Sequence, residues 1–195
     1  GSEMCIRDRV QICNNVNDNI LSFDIQSTIW IILHLNFYCG YKEKLFNYGD
    51  GKCKLCGDFE EGSHHIIIEC AVMKACLNDY QNIFLMLHNE IMSKDEMALG
   101  LVGIPIGRVT EKMRLRNFLT FTIRHVVFKN RYIDFGGNIN AHASLKPIIQ
   151  GRIKKEMLNK WFAYRANATI ESFANKYLIE NILGHIDNDK LVFTF

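Results

Sequence analysis

Three cysteines and two adjacent histidines fall within residues 52–70, KCKLCGDFEEGSHHIIIEC. Cys53 and Cys56 have the two-residue spacing of a knuckle hairpin, in which two thiolates converge on one ion. Cys70 adds a third sulfur, and either His64 or His65 an imidazole. Three thiolates and one ring nitrogen, at about 2.0–2.3 Å from the ion, make a closed tetrahedral Zn2+ site of the structural kind. Asp58, Glu60 and Glu61 offer hard oxygen atoms, but soft thiolates suit zinc better. The competing reading is a small apolar corner of free thiols, because an unligated cysteine packs as a compact hydrophobe. A catalytic zinc is disfavoured, since four protein ligands leave no position for water. The His-x-Glu and Pro-Cys-x-x-Cys order of the zinc deaminases is absent.

Ile66-Ile67-Ile68 does not decide between the two histidines. If His65 is the ligand, it stands five residues before Cys70, and neither a straight helix nor a straight strand puts both on one side. The chain between them must then bend, or Cys70 must open a helix just as the histidine leaves a loop. Upstream, residues 18–38 place Ile20, Leu21, Ile25, Ile29, Ile32, Leu33 and Phe37 mostly three or four apart, a helical pattern that Gly40 ends. Downstream, Val72, Ala75, Cys76, Leu77, Tyr80, Ile83, Phe84 and Leu87 read as one helix. Gly100, Gly103, Pro105 and Gly107 mark a loop. Thr110 caps a helix running to about Arg131, with Glu111 favoured by its dipole and Gly136-Gly137 stopping it. Pro147 suits the first turn of the next helix, along which Ile149, Ile153, Met157, Trp161 and Tyr164 recur. Asn167 or Thr169 starts a last helix ending at Gly184, and the tail Leu191–Phe195 is a short strand or docks extended. The fold expected is mainly α, a helical bundle with a small CCHC knuckle near its N-terminal third.

A chain of 195 residues, 48% hydrophobic and 23% charged, suits one domain, or one with a small appendage. Residues 1–9 lack periodicity and read as an artefact, in a chain that looks like a piece of something larger. The remainder divides into a zinc-binding region with flanking helices (10–100), a basic helical region (108–184) and a tail (185–195). Seven unevenly spread cysteines argue for a reducing compartment, nuclear or cytoplasmic, rather than a secreted disulfide framework. No apolar run reaches membrane-spanning length, so no membrane partner is expected.

The net charge of +2 hides a segregation: from Arg108 to Arg165 there are 13 Lys or Arg against 3 acids, leaving 10 basic and 18 acidic groups elsewhere. A basic stretch of this kind attracts polyanions. On a helical wheel Arg116, Arg124 and Arg131 fall away from Leu115, Leu119 and Val126, with Phe121 and Phe128 near them as stacking platforms for unpaired bases. Lys129, Arg152 and Lys155 extend the candidate nucleic-acid surface. The bland alternative is a solvated charged face with both phenylalanines packed on neighbouring helices.

Residues 25–70 resemble the zinc-binding region that follows the reverse transcriptase of non-long-terminal-repeat (LINE-type) retrotransposon proteins. The resemblance rests on Trp30, Leu45-Phe46, Cys53, Cys56-Gly57, Glu60-Glu61, His65 and Cys70. It departs at Ser63-His64, where a Thr-containing segment is commoner, and at Ala71, where a proline often follows the last cysteine. Residues 115–134 are similar to a basic helix found after the motif in some of these proteins. The family spacing favours His65 over His64. The resemblance implies a parent protein that is an RNA-directed DNA polymerase, and this segment carries no Asp pair of a polymerase, no nuclease motif, no phosphate loop and no zinc-protease helix. The expectation is a non-catalytic, zinc-stabilised domain contacting template RNA or target DNA. The alternative is a zinc-stapled module docking on the polymerase domain of the parent chain or on a partner protein.

Overall fold

Fourteen consecutive residues, Leu115 to Phe128, are buried, so the helix that carries them runs through the middle of the protein rather than along its surface. The computed structural model describes residues 6–34, 37, 39–57, 60–104, 107–133, 135 and 138–195. Among them are nine α-helices and one two-stranded sheet. They are α1 (Ile6–Val16), α2 (Phe23–Leu33), α3 (Gly40–Leu45), α4 (Ala71–Asn78), α5 (Gln81–His88), α6 (Lys94–Leu99), α7 (Glu111–Lys129), α8 (Asn138–Ala166) and α9 (Ile170–Tyr177), with strands β1 (Gly184–Asp187) and β2 (Lys190–Phe193). The central helix is α7, packed by α2, α4, α5, α8 and α9. The expected cap is in place: Thr110 Oγ1 accepts from the Met113 N–H at 3.3 Å.

Several boundaries differ from the sequence expectation, each for a local reason. The helix expected over 18–38 begins only at Phe23, because Asp18 Oδ1 accepts from the Ile20 N–H and closes a turn before it. Gly40 opens α3 instead of ending α2. The periodic run 72–87 is broken at Asp79-Tyr80 into α4 and α5, where Asp79 is drawn to His142 and Lys146 of α8. Both halves keep their apolar face, with Val72, Met73, Cys76, Leu77, Phe84 and Leu87 buried. The helix expected to start at Pro147 starts at Asn138 and runs 29 residues straight through the proline. Pro147 cannot donate to the Ala143 carbonyl, but both residues are exposed, so water can satisfy that oxygen. The last helix stops at Tyr177 rather than Gly184, since Glu180 and Asn181 are left-handed, at φ 52° and 57°. The tail is a strand: β2 pairs antiparallel with β1, Gly184 opposite Phe193, around an Asn188-Asp189 turn with both φ positive. Residues 6–9, which lack periodicity, lie in α1. The Gly136-Gly137 stop lies outside the described residues.

The buried apolar side chains form one cluster, to which α2 gives Ile25, Ile29 and Ile32 and α7 gives Val126 and Val127. Within it Trp161, Phe173 and Tyr177 gather at ring separations of 5.0–5.3 Å.

Candidate metal centre

The knuckle is built by backbone bonds that need no side chain. Lys52 and Glu60 form an isolated antiparallel bridge, and the Glu61 N–H donates to the Gly51 carbonyl at 2.7 Å. At the tip, the Gly57 N–H closes on the Cys53 carbonyl at 2.7 Å, with Gly57 at φ 75°, a left-handed value that glycine adopts without strain. The N–H groups of Leu55 and Cys56 turn toward the Cys53 sulfur and favour its thiolate. From His65 to Glu69 the chain makes a single π-helical turn, closed by the Cys70 N–H on the His65 carbonyl at 2.7 Å. That widened turn brings residues five apart to one site and supplies the bend that their spacing demands. Cys70, at φ −53° and ψ 122°, then starts α4, whose Val72 and Met73 N–H groups stabilise its thiolate.

Cys53, Cys56, His65 and Cys70 bring one donor atom each to within 4.8 Å of one another, and all four residues are buried. Cys53 Sγ lies 3.9 Å from Cys70 Sγ, and Cys56 Sγ lies 3.3 Å from His65 Nε2. Metal–sulfur bonds of about 2.3 Å and a metal–nitrogen bond of about 2.0 Å in a tetrahedron put sulfurs about 3.8 Å apart and sulfur about 3.5 Å from nitrogen. These two pairs stand close to those separations, all four donors lie within 4.8 Å of one another, and no disulfide joins them. Donating to the neighbouring Cys70 sulfur, with burial, pushes the Cys53 thiol up, while accepting that bond pulls Cys70 down. The set is compatible with a metal ion held by this chain alone.

His64 points away from the cluster: its side chain is 69% exposed and lies 3.2 Å from Glu69. Of the hard donors, Glu60 pairs with Lys44 at the surface, and Asp58 lies outside the described residues. Glu61 is fully buried, its Oε2 accepting from the Gly40 N–H at 2.7 Å, and burial raises its carboxyl. The Tyr41 N–H also donates to the Glu61 carbonyl, so this residue fastens the knuckle to the start of α3. The remaining described cysteines do other work: Cys13 is exposed on α1, Cys39 and Cys76 are core residues, and burial pushes the Cys76 thiol up to about 12.

The arginines expected on a solvent face are not there. Arg116, Arg124 and Arg131 are 1%, 0% and 8% exposed, and Phe121 and Phe128 are buried with them. The face opposite Leu115 and Leu119 is covered by α5 and α6 rather than by water. Arg116 donates to the Phe84 and Glu90 carbonyls and pairs with Glu96 at 3.2 Å. Arg124 donates to the Ala98 carbonyl at the end of α6. Arg131 donates to the Phe128 carbonyl and stacks on Phe128 and Tyr132. None of the three offers a phosphate a free approach. Lys129 and Arg152 both lie on Asp24, Arg152 also on Glu156, and Lys155 is exposed on α8. The acidic first half meets the basic stretch internally, again through Arg114 on Asp18 at 2.5 Å and Lys146 on Asp79 at 3.5 Å.

One grouping was invisible in the sequence. His125 Nδ1 lies 2.9 Å from Thr28 Oγ1, and its Nε2 lies 3.3 Å from Asp24. Thr28 is buried and donates its hydroxyl proton to the Asp24 carbonyl, so it presents no nucleophile to solvent. Among the described residues, no helix is long and apolar enough to cross a membrane. Comparison with protein-family models, curated proteins and solved structures finds no match to this chain.

Proposed function

We propose that the chain is a non-catalytic domain stapled by one structural Zn2+ on Cys53, Cys56, His65 and Cys70, belonging to a protein of the LINE-type reverse transcriptase kind. The observation that carries the metal is the gathering of four buried donors, from one short segment, within 4.8 Å of one another. Three sulfurs and a nitrogen select zinc over magnesium or calcium, and a full set of protein ligands suits a structural role. The assignment to retroelement proteins rests on the sequence resemblance alone.

Nucleic acid is the partner this reading favours, through α8 rather than α7. At about 1.5 Å per residue, α8 is a rod about 43 Å long, and it carries Lys146, Arg152, Lys154, Lys155, Lys160 and Arg165 against the single acid Glu156, which is buried. Lys129 stands beside it, on Asp24. Zinc content should be measured alongside binding to single-stranded RNA and duplex DNA across a salt series. The expected result is about one zinc per chain and an affinity that falls steeply with salt, with a shallower slope after Lys146→Ala and Lys155→Ala. Salt-independent affinity, or none at low salt, defeats the nucleic-acid part while leaving the zinc intact.

A second reading is docking on the polymerase domain or on a partner protein. It is favoured by the internal pairing of the basic stretch and by the exposure of Tyr41, Leu45, Phe46 and Tyr48 on and just after α3. Phe46→Ser with Tyr48→Ser separates the two readings, since it should abolish docking and leave the salt slope for RNA unchanged.

A further inference from the structure

A cavity of about 310 Å³ opens between α1 and the start of α7, away from the metal centre. Its walls include Gln11, Asn14, Asn15, Asp18, Glu111 and Arg114. Gln11 and Asn15 are only 7% and 6% exposed. One end of each amide is used by the fold: Gln11 Oε1 accepts from the Ile104 N–H, and Asn15 Nδ2 donates to the Leu101 carbonyl. Among the described residues, nothing hydrogen-bonds the other ends, Gln11 Nε2 and Asn15 Oδ1. Both free ends open into the cavity rather than into the core, so a cavity lined by two half-used amides can receive polar atoms in place of water.

The charges say which kind. Two carboxylates face one guanidinium. Both oxygens of Asp18 are taken, by Arg114 Nε at 2.7 Å and Nη2 at 2.5 Å. Glu111 Oε1 accepts from Arg114 Nη1 at 2.9 Å, and its Oε2 is buried with no hydrogen bond. One negative charge of the wall therefore has no side-chain cation of its own, and an acceptor, Asn15 Oδ1, and a donor, Gln11 Nε2, open to the cavity. A phosphate is repelled by this arrangement. A bare divalent cation lacks enough free oxygens, since magnesium and calcium want six or more. A guanidinium carries several fixed donors and a charge that the carboxylate answers, and a peptide carbonyl beside it would take the amide donor.

We infer that the cavity between α1 and α7 is a recognition site for an arginine side chain on a peptide segment of a partner, with Glu111 as its counter-charge and Gln11 and Asn15 as its hydrogen-bonding walls. The site is independent of the metal. The probe is N-acetyl-arginine methylamide, titrated into the zinc-loaded, 15N-labelled chain while the side-chain amide resonances of Gln11 and Asn15 are followed. They should move saturably, with a Kd in the millimolar range. The citrulline analogue, which keeps the shape and loses the charge, should bind at least about tenfold more weakly. Glu111→Gln should weaken the arginine probe about fivefold while the thermal midpoint stays near that of the parent. No movement of the two amides at about 50 mM probe would overturn the assignment. So would equal binding of citrulline, unchanged affinity in Glu111→Gln, or a response to inorganic phosphate in place of arginine.

Discussion

Cys53 and Cys70, seventeen residues apart in the chain, hold their sulfurs 3.9 Å from each other without a disulfide. One sulfur belongs to a hairpin tip and the other to the first residue before α4, so a shared ion would tie the two elements together. Cys70→Ser should lower bound zinc from about one per chain to near zero. Cys39→Ser and Cys76→Ser, which alter buried thiols outside the cluster, should leave the metal content unchanged. Elemental analysis of the three purified variants checks this. Because protons compete with metal for the thiolates, zinc should also leave progressively as pH is lowered from 8 toward 5.

Gly40 and Glu61 give a second test of the same unit. A Cβ at Gly40 would stand 2.6 Å from the Gly51 carbonyl oxygen and 2.9 Å from Glu61 Cβ. Backbone cannot move aside as a flexible side chain does, so α3 and the knuckle would be forced apart. Gly40→Ala should cost about 1–3 kcal/mol in denaturant unfolding. Its zinc affinity, read by chelator competition, should fall with it. Gly62→Ala is the control, as a Cβ there meets nothing within 4 Å.

The Cys/His cluster was legible because its information is local: residue types and spacing over eighteen positions name the three sulfurs, and even the bend between His65 and Cys70 follows from a separation of five. The choice of His65 needed the family resemblance, and the structure agrees by turning His64 to solvent. The surface was not legible. A wheel of α7 separates Leu115 and Leu119 from Arg116 and Arg124 correctly, but it assigns the charged side to water. What covers that side is α5 and α6, brought there by contacts 20 and 26 residues distant, Arg116 with Glu96 and Arg124 with the Ala98 carbonyl. A long side chain that finds its partners through the tertiary fold leaves no periodic trace. Helix ends failed for the reverse reason: Pro147 and Gly40 are strong local signals that long-range packing overrode.

His125 yields a pH prediction. Burial, aided by Arg152, lowers its pKa to about 4 from an ordinary 6.5. At neutral pH the ring is uncharged in both states and contributes no pH dependence. As pH falls below 6.5 the unfolded chain takes up a proton that the folded chain refuses, so stability declines until about pH 4. The loss attributable to this one group is at most about 3 kcal/mol. His125→Gln should flatten the stability profile between pH 6.5 and 4, measured by urea midpoints. An unchanged slope in that window would mean the ring is protonated in the folded protein, on Asp24.

Arg116 and Arg124 lie on the same covered side of α7 and should respond oppositely to one substitution. Arg116 pairs with Glu96 and donates to two carbonyls, so Arg116→Met strands a largely buried carboxylate and should destabilise by about 3–5 kcal/mol. Arg124 has no carboxylate beside it, and its Nε and Nη2 are buried without hydrogen bonds. Burial alone draws its pKa down to about 10, the mark of a cation with little to offset its lost hydration. Arg124→Met forfeits one bond to the Ala98 carbonyl but removes that penalty, and should be neutral or stabilising in urea unfolding. Neither substitution should change the salt slope for RNA if phosphates are met on α8. A weaker slope in a folded Arg124→Met protein would mean that α6 lifts away to expose the arginine, and that the polyanion surface includes α7 after all.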